Sequence, residues 1–150
     1  MRTKTSMWFE CKIRYDKLTD EGLSKKVTEQ YVVDALSYTE AEKTIIRSTA
    51  EIIPEVIEIR AIKEAAYNEI FFSENDAADK WYKTKINFIS IDERTGKERR
   101  TNVLYLVQAN DISNAISNVK EIMSKSMSDY TIQSMALTQI LDVFEHNEEE

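Results

Sequence analysis

The chain has 150 residues, one cysteine, one histidine, two glycines and a formal net charge of −7. This length can bury a core without covalent or metal support, and a single cysteine excludes both an intramolecular disulfide and a cysteine-based zinc site. The acidic balance argues against nonspecific binding to nucleic-acid phosphates. Neither a signal peptide nor a membrane span is predicted, so the bacterial cytoplasm is the expected compartment and no membrane partner is expected.

The first predicted elements form a β-hairpin. Apolar residues alternate from Met7 to Tyr15, which is the period of a strand with one buried face, and Cys11 in this alternation is predicted to be an inert buried thiol. A second strand is predicted from about 25 to 36. Gly22 lies between the two strands and can adopt the positive φ of a tight turn.

A capping box predicts where the first helix begins. Ser37 can accept from the Glu40 amide, while the Glu40 carboxylate can return to the Ser37 amide. The helix is expected to end at about 52 or 53, before Pro54. Residues 55–72 fit either a helix or a strand with a bulge, and their isoleucines and phenylalanines favour one strand.

The second half of the chain repeats this order after a polar connector at 73–80. A strand at 81–92, a turn containing Gly96 and a strand at 97–109 precede a helix capped by Asp111. A loop at 124–128 leads to a last strand at 129–144, which has the same helix-or-strand ambiguity as 55–72.

Matching residues indicate an internal repeat. Trp8 recurs 73 positions later as Trp81, and Gly22 recurs 74 positions later as Gly96. Near the end of each half, Glu-Ile-Phe at 69–71 corresponds to Asp-Val-Phe at 142–144. We therefore predict a single domain, 1–150, with pseudo-repeat halves at about 7–72 and 81–144 and an acidic flexible tail at 145–150.

The predicted fold follows from what one helix can cover. One helix cannot cover three strands and close a core alone, so the two strand–strand–helix–strand halves are expected to share one core. The fold class is α+β: a two-layer sandwich in which one mostly antiparallel sheet of about six strands carries both helices on one face.

The sequence lacks the common catalytic constellations. The one histidine, His146, lies in the acidic tail and is expected to be solvated, so Ser-His-Asp, Cys-His and histidine–metal sites are not predicted. Two glycines cannot form a Gly-rich phosphate loop. We expect no enzymatic activity, no cofactor and no metal.

Basic residues beside the two hairpin turns form the first candidate site. They are Lys25, Lys26, Arg94, Lys97, Arg99 and Arg100. Because arginine binds phosphate with paired hydrogen bonds, convergence of these cations would create a site for an anionic small molecule such as a nucleotide signal. The alternative is that they are solvated charges that keep the hairpin edges from aggregating.

Apolar residues on the opposite side of the strands form the second candidate site. They are Trp8, Val32, Trp81, Leu104 and Leu106. Exposed together they would form a patch that binds a host protein or a second copy of the chain, and a homo-oligomer is therefore predicted. The alternative is that the C-terminal strands or the N-terminal arm cover this face. The tryptophans beside cations could also stack nucleic-acid bases.

Six phrases resemble the family named domain of unknown function 4494. They are WFECKIRYDK, KKVTEQYVVDALSYTEAE, YNEIFF, ADKWYKTKINFISIDERTGKE, LVQANDISNAISN and ILDVF. The resemblance covers Trp8 to Phe144. It implies a small cytoplasmic protein of Bacteroidetes or of their phages and mobile elements, and it brings no activity, cofactor or catalytic residue with it.

The expected function is that of a non-catalytic binding protein encoded by a phage or mobile element. Its ligand would be an anionic small molecule or a host protein, and an anti-defence role is one hypothesis within this expectation. The alternative is a nucleic-acid-binding accessory protein in phage replication or packaging. The sequence does not identify the ligand, the partner, the oligomeric state or the strand order.

Overall fold

The computed structural model describes residues 1–146 as two compact units. One unit, called unit 1 below, comprises Met1–Thr5 and Ala66–Thr138. The other, unit 2, comprises Ser6–Ala65 and the chain from Gln139 onward. The single domain and its halves stay a prediction, and residues 147–150 of the predicted tail lie outside the described residues.

Nine strands and two helices form within residues 1–146. In chain order they are β1 (Arg2–Lys4), β2 (Trp8–Leu18), β3 (Ser24–Asp34), α1 (Tyr38–Ala50), β4 (Glu58–Ala65), β5 (Glu69–Phe72), β6 (Lys80–Ile91), β7 (Glu98–Ala109), α2 (Ile112–Ser124), β8 (Asp129–Leu137) and β9 (Ile140–Phe144). The α+β class and both predicted hairpins are therefore confirmed. Residues 1–6, where no element is predicted, contain β1.

The prediction of one shared sheet is wrong. Unit 1 has a five-stranded sheet in the order β1-β5-β7-β6-β8, and unit 2 has a four-stranded sheet in the order β4-β2-β3-β9. Each sheet has its own helix, since α2 contacts β7 and β8 whereas α1 contacts β2, β3, β4 and β9. Each unit therefore closes a core of its own.

The turns and helix starts agree with their predicted residues. Gly22 and Gly96 have φ values of 80° and 69°, the left-handed region that glycine enters without a steric cost. Ser37 Oγ accepts from the Glu40 amide at 3.1 Å, which confirms half of the capping box. The Glu40 carboxylate lies 3.5 Å from Nδ1 of His146, so this histidine is half-buried and the expectation that it is solvated is wrong.

The segment that follows each helix divides its residues between the two sheets. Residues 55–72 form β4 and β5 instead of one strand: β4 pairs with β2 in unit 2, whereas β5 pairs in parallel with β7 in unit 1. Residues 129–144 likewise form β8 and β9: β8 pairs with β6 in unit 1, and β9 pairs in parallel with β3 in unit 2. Each half of the sequence thus supplies its last strand to the sheet of the other half.

The two parallel pairings have the same register. Glu69 is opposite Tyr105 in unit 1, and Asp142 is opposite Tyr31 in unit 2. The two acids are 73 positions apart and the two tyrosines 74, as in the matched sequence segments. This agreement supports the predicted repeat, although the superposition of the two halves stays a prediction.

Apolar alternation places one core beneath each helix. In unit 2 the core includes Phe9, Cys11, Ile13, Tyr31, Val33 and Ile45. In unit 1 it includes Phe71, Ile86, Tyr105, Val107, Val119 and Met123. These residues occupy every second strand position or one helix stripe, as the predicted apolar faces require.

Burial in the core of unit 2 favours the neutral form of several weak acids. It raises the pKa of Cys11 from 9.0 to about 12, with the charge of Glu10 a smaller cause. It also raises the pKa of Tyr15 from 10.0 to about 12, with Glu29 adding to the effect. The pKa of Tyr31, which donates to the Glu29 carboxylate at 3.2 Å, is raised above 10.0 for the same reasons.

Stability should therefore fall in alkaline solution. Because the folded pKa values lie above the unfolded ones, these groups contribute stability that is complete below pH 9 and lost as pH rises toward about 12. Urea unfolding at a series of pH values measures this loss. Cys11→Ala should make the fall shallower between pH 9 and 12; an identical fall in both proteins would contradict the assignment to Cys11.

Candidate functional site

The predicted basic residues are exposed and belong to two different units. Lys25 and Lys26 lie on β3 of unit 2, whereas the other four lie in or beside the β6–β7 hairpin of unit 1. Convergence of the two groups stays a prediction. Within the second hairpin, Arg99 and Arg100 are consecutive strand residues and their side chains lie on opposite faces of the sheet.

Neighbouring carboxylates engage part of the second basic hairpin. The Arg100 guanidinium lies 3.5 Å from the Glu98 carboxylate on the same strand. The backbone amide of Arg94 donates to the Asp92 carboxylate at 2.9 Å, a bond that shapes the turn and does not use the cation. The cations of this hairpin alone therefore do not surround a single binding site for an anion.

The predicted apolar patch is not exposed. Trp8 and Trp81 are each 1% exposed, Val32 and Leu106 are fully buried, and Leu104 is partly buried. The expectation of an exposed patch is wrong because the first part of β2 and of β6 is buried on both faces, which alternation alone does not reveal. Base stacking on the tryptophans is also excluded in this arrangement, and their role in an oligomer interface stays a prediction.

The best-formed cavity lies in unit 1 and was not predicted. Its volume is about 250 Å³, and β1, β5, β7 and α2 contribute to its wall. The lining residues are Met1, Thr3, Glu69, Phe71, Tyr105, Glu121, Ile122 and Lys125. We refer to this space as the unit 1 cavity.

The lining combines a buried aromatic pair with polar residues that water reaches. Phe71 and Tyr105 are buried and meet edge to face, with ring centroids 5.0 Å apart. Glu121 on α2 and Lys125 just after it are exposed, and Glu69 is half-buried. The hydroxyl of Thr3 donates to the Glu69 carboxylate, so β1 closes one side of the cavity and positions this acid.

The electrostatics of the unit 1 cavity centre on Glu69. Burial raises the pKa of Tyr105 above 10.0, and the charge of Glu69 raises it further. A cation bound beside Glu69 would offset this charge. Two carboxylates and one lysine lie in the lining, beside Met1 and apolar side chains.

A wider cleft lies in unit 1 near the end of β6 and the start of β8. Its volume is about 790 Å³, and its lining includes Glu98 and Asp129 but no lysine or arginine. A phosphate-bearing ligand needs positive or N–H donors, which this lining does not concentrate. The cleft therefore gives no support to an anion site.

Sequence reasoning could not find most of the unit 1 cavity. Arg2-Thr3-Lys4 has no apolar alternation, so nothing in the sequence marks β1 as a strand or Thr3 as a lining residue. Glu121 and Lys125 look like the solvated face of a helix. Glu69 was visible only as the counterpart of Asp142 in the repeat, a signal that marks a position and not a site.

Candidate metal sites and membrane-spanning helices are both absent from residues 1–146. No three histidine, cysteine, aspartate or glutamate side chains in this range are grouped closely enough to hold a metal ion. No helix in this range is both long and apolar enough to span a membrane.

Comparison with known proteins places the chain in a family. The family model described as "Domain of unknown function (DUF4494)" matches residues 7–146, and the chain belongs to this family. A search of curated proteins and a search of solved structures found no match. The match begins after β1, so the strand that closes one side of the unit 1 cavity lies outside the matched region.

Replacing Glu69 should lower the pKa of Tyr105. Glu69→Gln removes the charge but keeps the shape, so the pKa should move toward 10.0 while the contribution of burial remains. Glu121→Gln is the matched control, because Glu121 lines the same cavity and is not among the causes of the shift. An NMR titration of the tyrosine ring carbons measures the pKa of Tyr105 in both variants. Equal pKa values in the two variants would contradict the assignment of part of the shift to Glu69.

Proposed function

We propose that this protein is a non-catalytic binding protein whose ligand is another protein, with a basic side chain of that partner entering the unit 1 cavity. The observation that carries the proposal is the lining: buried Phe71 and Tyr105 beside the carboxylates of Glu69 and Glu121. A lysine or arginine side chain has an apolar stem and a cationic end, so this lining complements both parts.

Cavity size favours a protein side chain over a nucleotide. Sites for drug-sized molecules usually measure about 300–1,000 Å³. The unit 1 cavity, at about 250 Å³, is below this range, and the larger cleft of about 790 Å³ is lined by acids without cations. The sequence led us to expect either an anionic small molecule or a host protein as the ligand. The geometry supports the protein more than the small molecule.

The cellular setting is part of the proposal. The family resemblance implies the cytoplasm of a Bacteroidetes cell and a gene carried by a phage or mobile element. A binding protein of this origin would act on a host protein, and interference with a host defence system is one process that fits. The net charge of −7 would favour encounter with basic surfaces of such a partner.

One observation favours the alternative, a nucleic-acid-binding accessory protein. Lys83 and Lys85 lie opposite Leu106 and Leu104 in the β6–β7 ladder, and Arg100 lies on the same face of that sheet by alternation. All three cations are exposed. They could contact a phosphate backbone, in which case binding to single-stranded DNA would weaken steeply with salt.

A charge-matched comparison tests the proposal. The wild type, the cavity variant Glu69→Gln/Glu121→Gln and the control Glu64→Gln/Glu93→Gln are each exposed to a lysate of a Bacteroidetes host, and captured proteins are identified and titrated. The cavity variant should bind the captured partner about tenfold more weakly, because it loses two charge-assisted contacts. The control loses the same charge at exposed positions outside the cavity and should bind like the wild type.

Two outcomes would contradict the proposal. If the cavity variant binds normally and the Arg94→Ala/Arg99→Ala/Arg100→Ala variant does not, the basic hairpin is the site. If the wild type binds single-stranded DNA with a steep salt dependence that Lys83→Gln/Lys85→Gln removes, the nucleic-acid alternative is correct.

A further inference from the structure

The sheet of unit 2 lacks one strand that the sheet of unit 1 has. In unit 1, β1 pairs antiparallel with β5, with Arg2, Thr3 and Lys4 opposite Phe72, Phe71 and Ile70. In unit 2, the counterpart of β5 is β9, which is the outermost strand of its sheet among the described residues. Unit 1 therefore shows what kind of strand this position accepts.

The side chains along β9 are less covered than their counterparts along β5. Phe71 is 4% exposed beneath β1, whereas Phe144 at the matched position is only half-buried. Glu69 is half-buried and is held by Thr3, whereas Asp142 is exposed. A strand added beside β9 would cover Phe144 and reach Asp142.

One backbone amide of β9 already has a hydrogen bond to a side chain of the same strand. The N–H of Val143 donates to the Asp142 carboxylate at 2.8 Å, a bond made within β9 and not to another strand. The counterpart of Val143 in unit 1 is Ile70, which lies opposite Lys4 of β1. Asp142 thus accepts from the amide of Val143, and the matching residue in unit 1, Ile70, is one that β1 pairs with.

We propose that β9 is a docking edge for an extended, basic segment of a partner protein, which pairs antiparallel with Val143 and Phe144 as β1 pairs with Ile70 and Phe71. The segment carries a hydroxyl residue flanked by lysine or arginine. Its hydroxyl donates to Asp142 as Thr3 donates to Glu69, and its cations offset the acidic edge. Addition of a strand to an exposed sheet edge is an established mode of peptide recognition.

This site is independent of the unit 1 cavity. It belongs to unit 2, and it would remain if the cavity bound nothing. Both sites would select basic chemistry through an acid of the exchanged strand, Glu69 at the start of β5 or Asp142 in the middle of β9. Each acid lies opposite a tyrosine in the same register.

A peptide with the sequence of residues 1–6, MRTKTS, is the probe. Added to the full-length, isotope-labelled protein, it should bind saturably and shift the amide resonances of residues 142–144. A matched peptide with both basic residues replaced by glutamate, METETS, should bind at least about tenfold more weakly. Shifts confined to residues 69–72 would show that the peptide replaces β1, and would overturn the proposal.

Two variants localise the binding. Val143→Pro removes the amide that the docked segment would take over from Asp142, and Val143→Ala is its control because it truncates the side chain and keeps the amide. Proline should weaken peptide binding about tenfold and alanine much less. Asp142→Lys, which reverses the charge and keeps every backbone amide, should also abolish binding, and it keeps the test decisive if the proline variant does not fold.

The remaining outcomes decide the occupant. If Val143→Pro and Asp142→Lys both fold and bind the peptide as the wild type does, β9 is not the docking edge. If the protein alone has twice the 17.5 kDa chain mass and MRTKTS dissociates it, the occupant is a second copy of the chain and the partner-protein proposal is wrong.

Discussion

The fold depends on two parallel strand pairings that join the first half of the chain to the second. β5 follows β4 in the first half of the chain and pairs with β7 of the second half. β9 follows β8 in the second half and pairs with β3 of the first half. In β5, Ile70, Phe71 and Phe72 are at most 7% exposed. Each such side chain contributes about 1.5–3 kcal/mol by burial. Three of them approach the roughly 5–15 kcal/mol that stabilises a whole domain. Neither sheet is therefore expected to survive without the strand that the other half supplies.

The same exchange explains where the two proposed binding surfaces arise on this chain. Each exchanged strand carries an acid opposite a tyrosine, Glu69 opposite Tyr105 and Asp142 opposite Tyr31. The two sites differ because only unit 1 has β1. There β1 makes the acid part of a cavity wall, whereas in unit 2 the acid lies on β9, the outermost strand of its sheet among residues 1–146. One repeated element thus gives two different acidic surfaces.

Local patterns predicted the hairpins, both helix starts and the buried face of β2, because alternation, capping and glycine turns act within a few positions. They did not predict the separation into two sheets. The repeat at 69–71 and 142–144 was visible in the sequence. The residues near it do not indicate which sheet each strand joins, because that depends on pairing with strands far away in the chain. The same limit explains the error at Trp8 and Trp81, which alternation places on an outer face and the structure buries. The unit 1 cavity depends on β1, whose three residues carry no strand signal.

Dividing the chain between residues 72 and 73, at the start of the predicted connector, tests the strand exchange most directly. Residues 1–72 retain β2, β3, α1 and β4 but lack β9, and residues 73–150 retain β6, β7, α2 and β8 but lack β1 and β5. The two fragments are purified separately, and thermal unfolding is followed by circular dichroism for each alone and for an equimolar mixture. The account predicts no cooperative transition for either fragment and a restored transition for the mixture. A cooperative transition in an isolated fragment, unchanged when the other is added, would contradict it.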